Sequence, residues 1–414
     1  MLKWMPLALA ITFIPSVWAF ESKRNTVVEE TLYQDFQKNI QSQKSHNLKS
    51  MTGFSAFDQS LFVDALWDLA DENVPAALEF LNNELPVHYD LVQKLRLGIL
   101  RIKYKRASYL PNELTDELMG VLQAPVVELK IIYLIAAYES ELTLAGHTEM
   151  IKLAQTHPQY FDVKQDQETI SELTEDMVAD IYNETPDITT YMNGEYIKSV
   201  KIFMFCRSNR LYPCMMVMKN VHGEAVRLED GTLWSHMSLA SSKLGLPSYE
   251  RNGNTPQGIH TIDSVMPVAD SPISFGQFRR MVLNFIPKSK NEVLIKSLLP
   301  ASSQESDWWK SAVVSRDMGR NFLRIHGTGK INVDKETPYY PFMRTSGCIA
   351  QRENTYDGVK FTDQRDLLDS IMKAMDLAAT FDNETQVKGI LYLVEIDDLN
   401  APVALSDLAL RGIE

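Results

Sequence analysis

The chain has 414 residues, 45% of them hydrophobic and 23% charged, with a formal net charge of −13. That length implies two or three domains, and that composition a globular chain rather than a disordered or fibrous one. The acidity disfavours nonspecific nucleic-acid binding, and three cysteines are too few for a disulfide scaffold or a four-cysteine zinc site.

Lys3 supplies a short positive region, and Trp4 to Val17 is apolar apart from Thr12, Ser16 and two prolines. Val17-Trp18-Ala19 then fits a small-residue cleavage site before Phe20. This pattern predicts a cleaved signal peptide over residues 1–19. It implies delivery to the periplasm or otherwise to the cell envelope, with no transmembrane segment left after cleavage. Residues 20–52 are polar and read as a linker or a loosely packed segment.

From Phe57 the apolar residues recur at three- and four-residue steps, which predicts helices. Candidate helices cover Ala76 to Leu85, Val87 to Ala107, Val126 to Leu144, Glu149 to Thr156 and Gln167 to Asn183. They form a helical domain over residues 53–194. Charge supports the boundary: residues 20–195 carry 14 basic and 29 acidic side chains, and residues 196–414 carry 26 and 25. The acidic helical half is either a platform for an envelope protein or a domain whose acidic face is simply solvated.

Beyond residue 195 the pattern changes. Lys198 to Phe205, Cys214 to Asn220 and Gly389 to Ile396 are short runs rich in β-branched and aromatic residues, which predicts strands. Asp230-Gly231 and Asn252-Gly253 mark turns. Helices are expected at Gln277–Phe285 and Gln364–Thr380. The fold class is therefore α+β and multidomain, an all-α N-terminal domain followed by a β-rich domain over residues 195–414.

Cys206 and Cys214 flank a seven-residue segment centred on Arg210, a spacing that would set them across a short hairpin. In an oxidising compartment they form a disulfide or remain two unbridged cysteines, and Cys348 is the thiol left over. Cys348 follows Arg344-Thr345-Ser346-Gly347, and upstream lies Arg324-Ile325-His326-Gly327-Thr328. A cysteine nucleophile needs a base to form thiolate, and histidine serves near neutral pH.

These segments resemble the L,D-transpeptidase (YkuD-type) catalytic domain. His326-Gly327-Thr328 resembles its His-Gly-Thr segment, and Thr345-Ser346-Gly347-Cys348 its Ser/Thr-His/Ser-Gly-Cys segment. Asn254-Thr255-Pro256-Gln257-Gly258 is similar to its Thr-Pro-x-Gly turn. The resemblance covers roughly residues 195–400. It departs from the family at Ala350-Gln351, where Arg or Asn often follows the cysteine, and in the loop holding Tyr339-Tyr340.

The resemblance implies a peptidoglycan-modifying enzyme of cell-wall biogenesis and cell shape. It would cut stem peptides between a diamino acid at position three and a D-alanine at position four. It implies Cys348 as nucleophile, His326 as base, and the amides of Gly347 and Cys348 at the oxyanion. The Ser346 main chain would orient the histidine. Arg324, Arg344 and Tyr340 are candidate substrate-binding residues, the arginines suited to a carboxylate or else ordinary surface charges. Trp308-Trp309 either wall the cleft or fill the core. His260 lines the cleft or fills a strand position. No cofactor is implied, and the His222 and His236 spacings predict no metal. The acceptor is an amine for a transpeptidase, or water for an L,D-carboxypeptidase or amidase. A reading of another class is a secreted scaffold or binding protein without turnover.

Overall fold

The computed structural model describes, besides Lys38 and Ser42, most of residues 56–122, 186–285 and 295–413. Residues 1–19, expected as a signal peptide, and the helices expected at 126–144, 149–156 and 167–183 lie outside the described residues. In the N-terminal part, α1 is Ala56–Asp71, α2 Pro75–Phe80, α3 Leu91–Lys103 and α4 Asn112–Leu122. Pro75 opens α2, and the Asp90 carboxylate caps α3 by accepting from the Gln93 amide at 3.0 Å. Phe62, Leu66, Leu95 and Ile99 are buried where these helices meet. Arg96 is buried with them and is neutralised by Asp64 at 2.8 Å. Among the described residues no helix is long and apolar enough to cross a membrane.

The second part begins with α5 (Ile188–Asn193), β1 (Lys201–Arg207), β2 (Cys214–Lys219), β3 (Ser235–Ser238) and β4 (Gly258–Val265). Then follow α6 (Pro272–Phe275), β5 (Met281–Phe285), α7 (Lys310–Asp317), β6 (Leu323–His326), β7 (Ile349–Ala350), β8 (Thr355–Tyr356) and β9 (Val359–Lys360). The chain ends through α8 (Asp363–Ala374), β10 (Gly389–Asp397) and α9 (Leu405–Ala409). Eight strands form one sheet in the order β3-β2-β1-β10-β4-β5-β6-β7. β1–β10 and β6–β7 pair parallel, and the other pairs are antiparallel. Just past β3, Leu239 exchanges two backbone hydrogen bonds with Ala350 of β7 (3.1 and 2.8 Å), which nearly closes the sheet on itself.

Both faces of the sheet are covered, so β1 is buried along its whole length. Ile202, Met204 and Cys206 point to one core, shared with Ile325, Ile349 and the α8 residues Leu367, Leu368 and Ile371. Phe203 and Phe205 alternate to the other, with Tyr191, Trp308, Tyr392 and Leu408. Gly258 opens β4 at φ 137°, where a Cβ would sit 2.5 Å from that of Ala312 and 2.7 Å from the Trp309 carbonyl; only glycine lets α7 pack this closely.

One expected element is corrected. Gln277–Phe285 is not a helix: Met281–Phe285 is the central strand β5, between β4 and β6. A short, largely apolar run fits either element by periodicity, and two-sided sheet pairing decides it here. The helix expected at Gln364–Thr380 is shorter, Asp363–Ala374, and Asp376 just beyond it adopts φ 59°.

Candidate active site

The three segments singled out in the sequence meet at one end of the sheet. Parallel pairing of β6 with β7 sets Ile325 against Ile349 and His326 against Ala350. Cys348 precedes β7 by one residue, so it lies within two ladder positions of His326 on the adjacent strand. The third segment is tied in by Thr255, whose buried hydroxyl donates to the Gly347 carbonyl at 2.9 Å.

Gly347 permits the turn before the cysteine. Its φ is 94°, and a Cβ there would overlap the Gly253 carbonyl and the Arg320 guanidinium. The Thr345 hydroxyl donates to the Cys348 carbonyl at 2.6 Å. Arg320 is buried, and it donates to the carbonyls of Asn254 (2.6 Å), Gly253 (3.0 Å) and Ser248. It thereby pins the loop before the Thr-Pro turn against the cysteine turn. Arg320 carries no motif, and its role arises only from this tertiary meeting.

His326 is buried, with Phe275 edge-on to its ring at 5.3 Å. Its Nδ1 lies 2.6 Å from the Gly327 carbonyl. A carbonyl only accepts, so Nδ1 carries the proton and Nε2 presents the lone pair. The main-chain carbonyl on the ring is thus Gly327's, and Ser346, the residue expected to orient it, is half-buried in the turn before Cys348. Burial lowers the His326 pKa to about 4, aided by the Arg324 and Arg280 guanidiniums against the opposing hydrogen bond to Gly327. The ring is therefore neutral at pH 7 and able to accept a proton. Cys348 is 8% exposed and is the free thiol among the three cysteines. No hydrogen bond joins its Sγ to the His326 ring among the described residues. Such contacts commonly tighten only when substrate binds.

The other expected residues divide. Arg324 is half-buried on β6, where its charge acts on His326. Arg344 is half-buried with its guanidinium 5.1 Å from the Tyr339 ring centre. Tyr340 packs edge-on against Tyr356 and donates to Asp357 at 3.1 Å, which places it with the β8–β9 hairpin. Trp308 and Trp309 are core residues, their indoles donating to the Tyr191 hydroxyl (2.9 Å) and the Ser306 carbonyl (2.7 Å). His260 fills a buried position in β4, its Nε2 3.1 Å from the Pro256 carbonyl.

The departures after the cysteine have structural roles. Ala350 is the residue that meets Leu239 across the closing bridge. Gln351 is buried, bonding His236 at 2.7 Å and donating to Ser238 at 2.8 Å. Arg352 is held by Asp363 at 2.6 Å and lies over Phe361. Cys206 and Cys214 are bridged by a disulfide, with Cα atoms 4.4 Å apart. Among the described residues no three His, Cys, Asp or Glu side chains are grouped to hold a metal ion.

No protein-family model matches this sequence, no curated protein matches it, and no solved structure matches it.

Proposed function

We propose that this chain is a peptidoglycan-modifying cysteine acyltransferase of the L,D-transpeptidase type, acting in the cell envelope. The observation that carries the reading is the parallel β6–β7 pairing, which sets a neutral histidine, protonated at Nδ1, within two ladder positions of the free cysteine.

The chemistry follows from the donor set. Nε2 of His326 takes the thiol proton of Cys348 as Sγ attacks the carbonyl carbon between the diamino acid and D-alanine. The Gly347 and Cys348 amides stabilise the oxyanion. The C–N bond then breaks, His326 gives its proton to the leaving amine, and D-alanine departs from an acyl thioester. An amine of a second stem peptide or of a protein attacks the thioester and restores the Cys348 thiol, forming the crosslink. Arg324, beside the base, suits a substrate carboxylate.

The test is incubation of the mature chain with tetrapeptide-containing muropeptides, with products identified by mass. D-alanine release with dimer formation supports transfer. Trimmed monomers without dimers make water the acceptor, and the enzyme an L,D-carboxypeptidase. No product from the wild type, or equal product from Cys348→Ala, sinks the proposal.

A further inference from the structure

Glu353 takes no part in the mechanism above, yet it touches both groups that hold the base. It is 5% exposed. Its Oε2 accepts the Gln277 amide at 2.5 Å, and its Oε1 is buried with no hydrogen-bond partner among the described residues. The carboxyl is lodged between two glycines. A Cβ on Gly276 would overlap it, and so would a Cβ on Gly327, whose three nearest atoms all belong to Glu353. Gly276 ends α6, the helix that brings Phe275 onto the His326 ring. Gly327 supplies the carbonyl that fixes Nδ1.

We propose that Glu353 is a positioning residue for His326: its carboxyl wedges the Gly327 peptide so that the carbonyl holds Nδ1 and Nε2 faces the thiol. The wedge works as the neutral acid. A carboxylate here would be a buried charge with one oxygen unsatisfied. The charged and titratable groups around it do not offset this. Asp363 at the head of α8 repels a second negative charge and already holds Arg352. His326 is neutral, and Arg280 lies over the Phe275 ring at 4.7 Å. Burial foremost, with Asp363, raises the Glu353 pKa to about 7 against the Gln277 amide that opposes it.

The inference rests on the transpeptidase reading for its substrate, but a thiol assay reads it without one. Cys348 is the thiol outside the disulfide, so iodoacetamide alkylation of the full chain reports on it. Alkylation and muropeptide turnover are followed from pH 5.5 to 9 in wild type, Glu353→Gln, Glu353→Ala, Gly327→Ala and the Gly327→Ala/Glu353→Ala pair. The Gln variant keeps the shape and cannot ionise. Its rate relative to wild type should be near one below pH 6.5 and rise roughly threefold or more by pH 8, as wild-type Glu353 ionises. Glu353→Ala should lower kcat on the order of tenfold or more with little change in KM. Gly327→Ala should fall similarly, and the double variant should recover part of the loss because the carboxyl no longer meets the new methyl.

A flat Gln-to-wild-type ratio across pH 7 overturns the neutral-acid role. Wild-type rates in folded Glu353→Ala overturn the wedge; should that variant not fold, the Gln ratio decides. If the wild type turns over no muropeptide while Glu353→Ala still slows alkylation, the transpeptidase reading falls and the positioning role stands.

Discussion

Under the proposed mechanism, His326 reaches its working state by burial rather than by titration. Its pKa is held at about 4, so the base stays unprotonated as pH falls from neutrality and is lost only near that value. His326→Gln should therefore lower turnover by about 10²–10⁴-fold between pH 6 and 8. The wild type should show no loss from this group until pH drops below about 5, measured as kcat/KM on a muropeptide series. A wild-type loss centred at pH 6.5 that vanished in the Gln variant would mean a solvated ring instead. The cysteine, the histidine and the Thr255 turn were legible in the sequence because each sits in a short local pattern. Glu353 and Arg320 were not. Each acts on a glycine or a carbonyl distant in sequence, Gly276 and Gly327 for one and Gly253 and Asn254 for the other, and nothing local marks them.

At the scale of elements, the site depends on how β4 and α7 meet. Gly258→Ala adds a methyl where the Ala312 side chain and the Trp309 carbonyl leave no room, at a φ that disfavours any side chain. It should cost about 2–4 kcal/mol in denaturant unfolding, and Ala312→Gly should not restore it, because the carbonyl contact remains. The hairpin of β1 and β2 offers a second check. Its disulfide closes a short loop, so Cys206→Ser/Cys214→Ser should lose about 2–3 kcal/mol of stability while leaving Cys348 alkylation unchanged. An unchanged melting temperature would mean that buried packing, not the bridge, holds the strand ends. The sequence showed β1, β2 and β10 because their apolar runs are bounded by turns. It misled at Met281–Phe285, since a buried central strand lacks the alternation that separates strand from helix.

Over the whole molecule, the bridge of Leu239 with Ala350 nearly closes the sheet, with a second bridge, Ser242 with Thr345, beside it. No local pattern announces the first bridge: its partners are 111 residues apart, and Ala350 had stood out only as a departure from a family motif. Buried rings within the same sheet make its stability depend on pH. His260 and His326 are both buried and held neutral, each with a pKa lowered to about 4. The unfolded chain binds these two protons below pH 6.5 and the folded chain does not until about pH 4. Their contribution to stability is thus complete above pH 6.5 and lost as pH falls through that window, on the order of 3 kcal/mol for each ring. Glu353 acts with the opposite sign, because its raised pKa stabilises the fold at low pH and costs it as pH rises towards 7. The two histidines outweigh the one acid, so melting temperature should climb from pH 4.5 to 6.5. His260→Gln, which leaves the site residues in place, should flatten most of that climb, because the remaining histidine and Glu353 then nearly offset each other, whereas Glu353→Gln should steepen it. A melting temperature flat across this interval in the wild type would show that these rings are hydrated, and with that the neutral base at His326 would lose its physical ground.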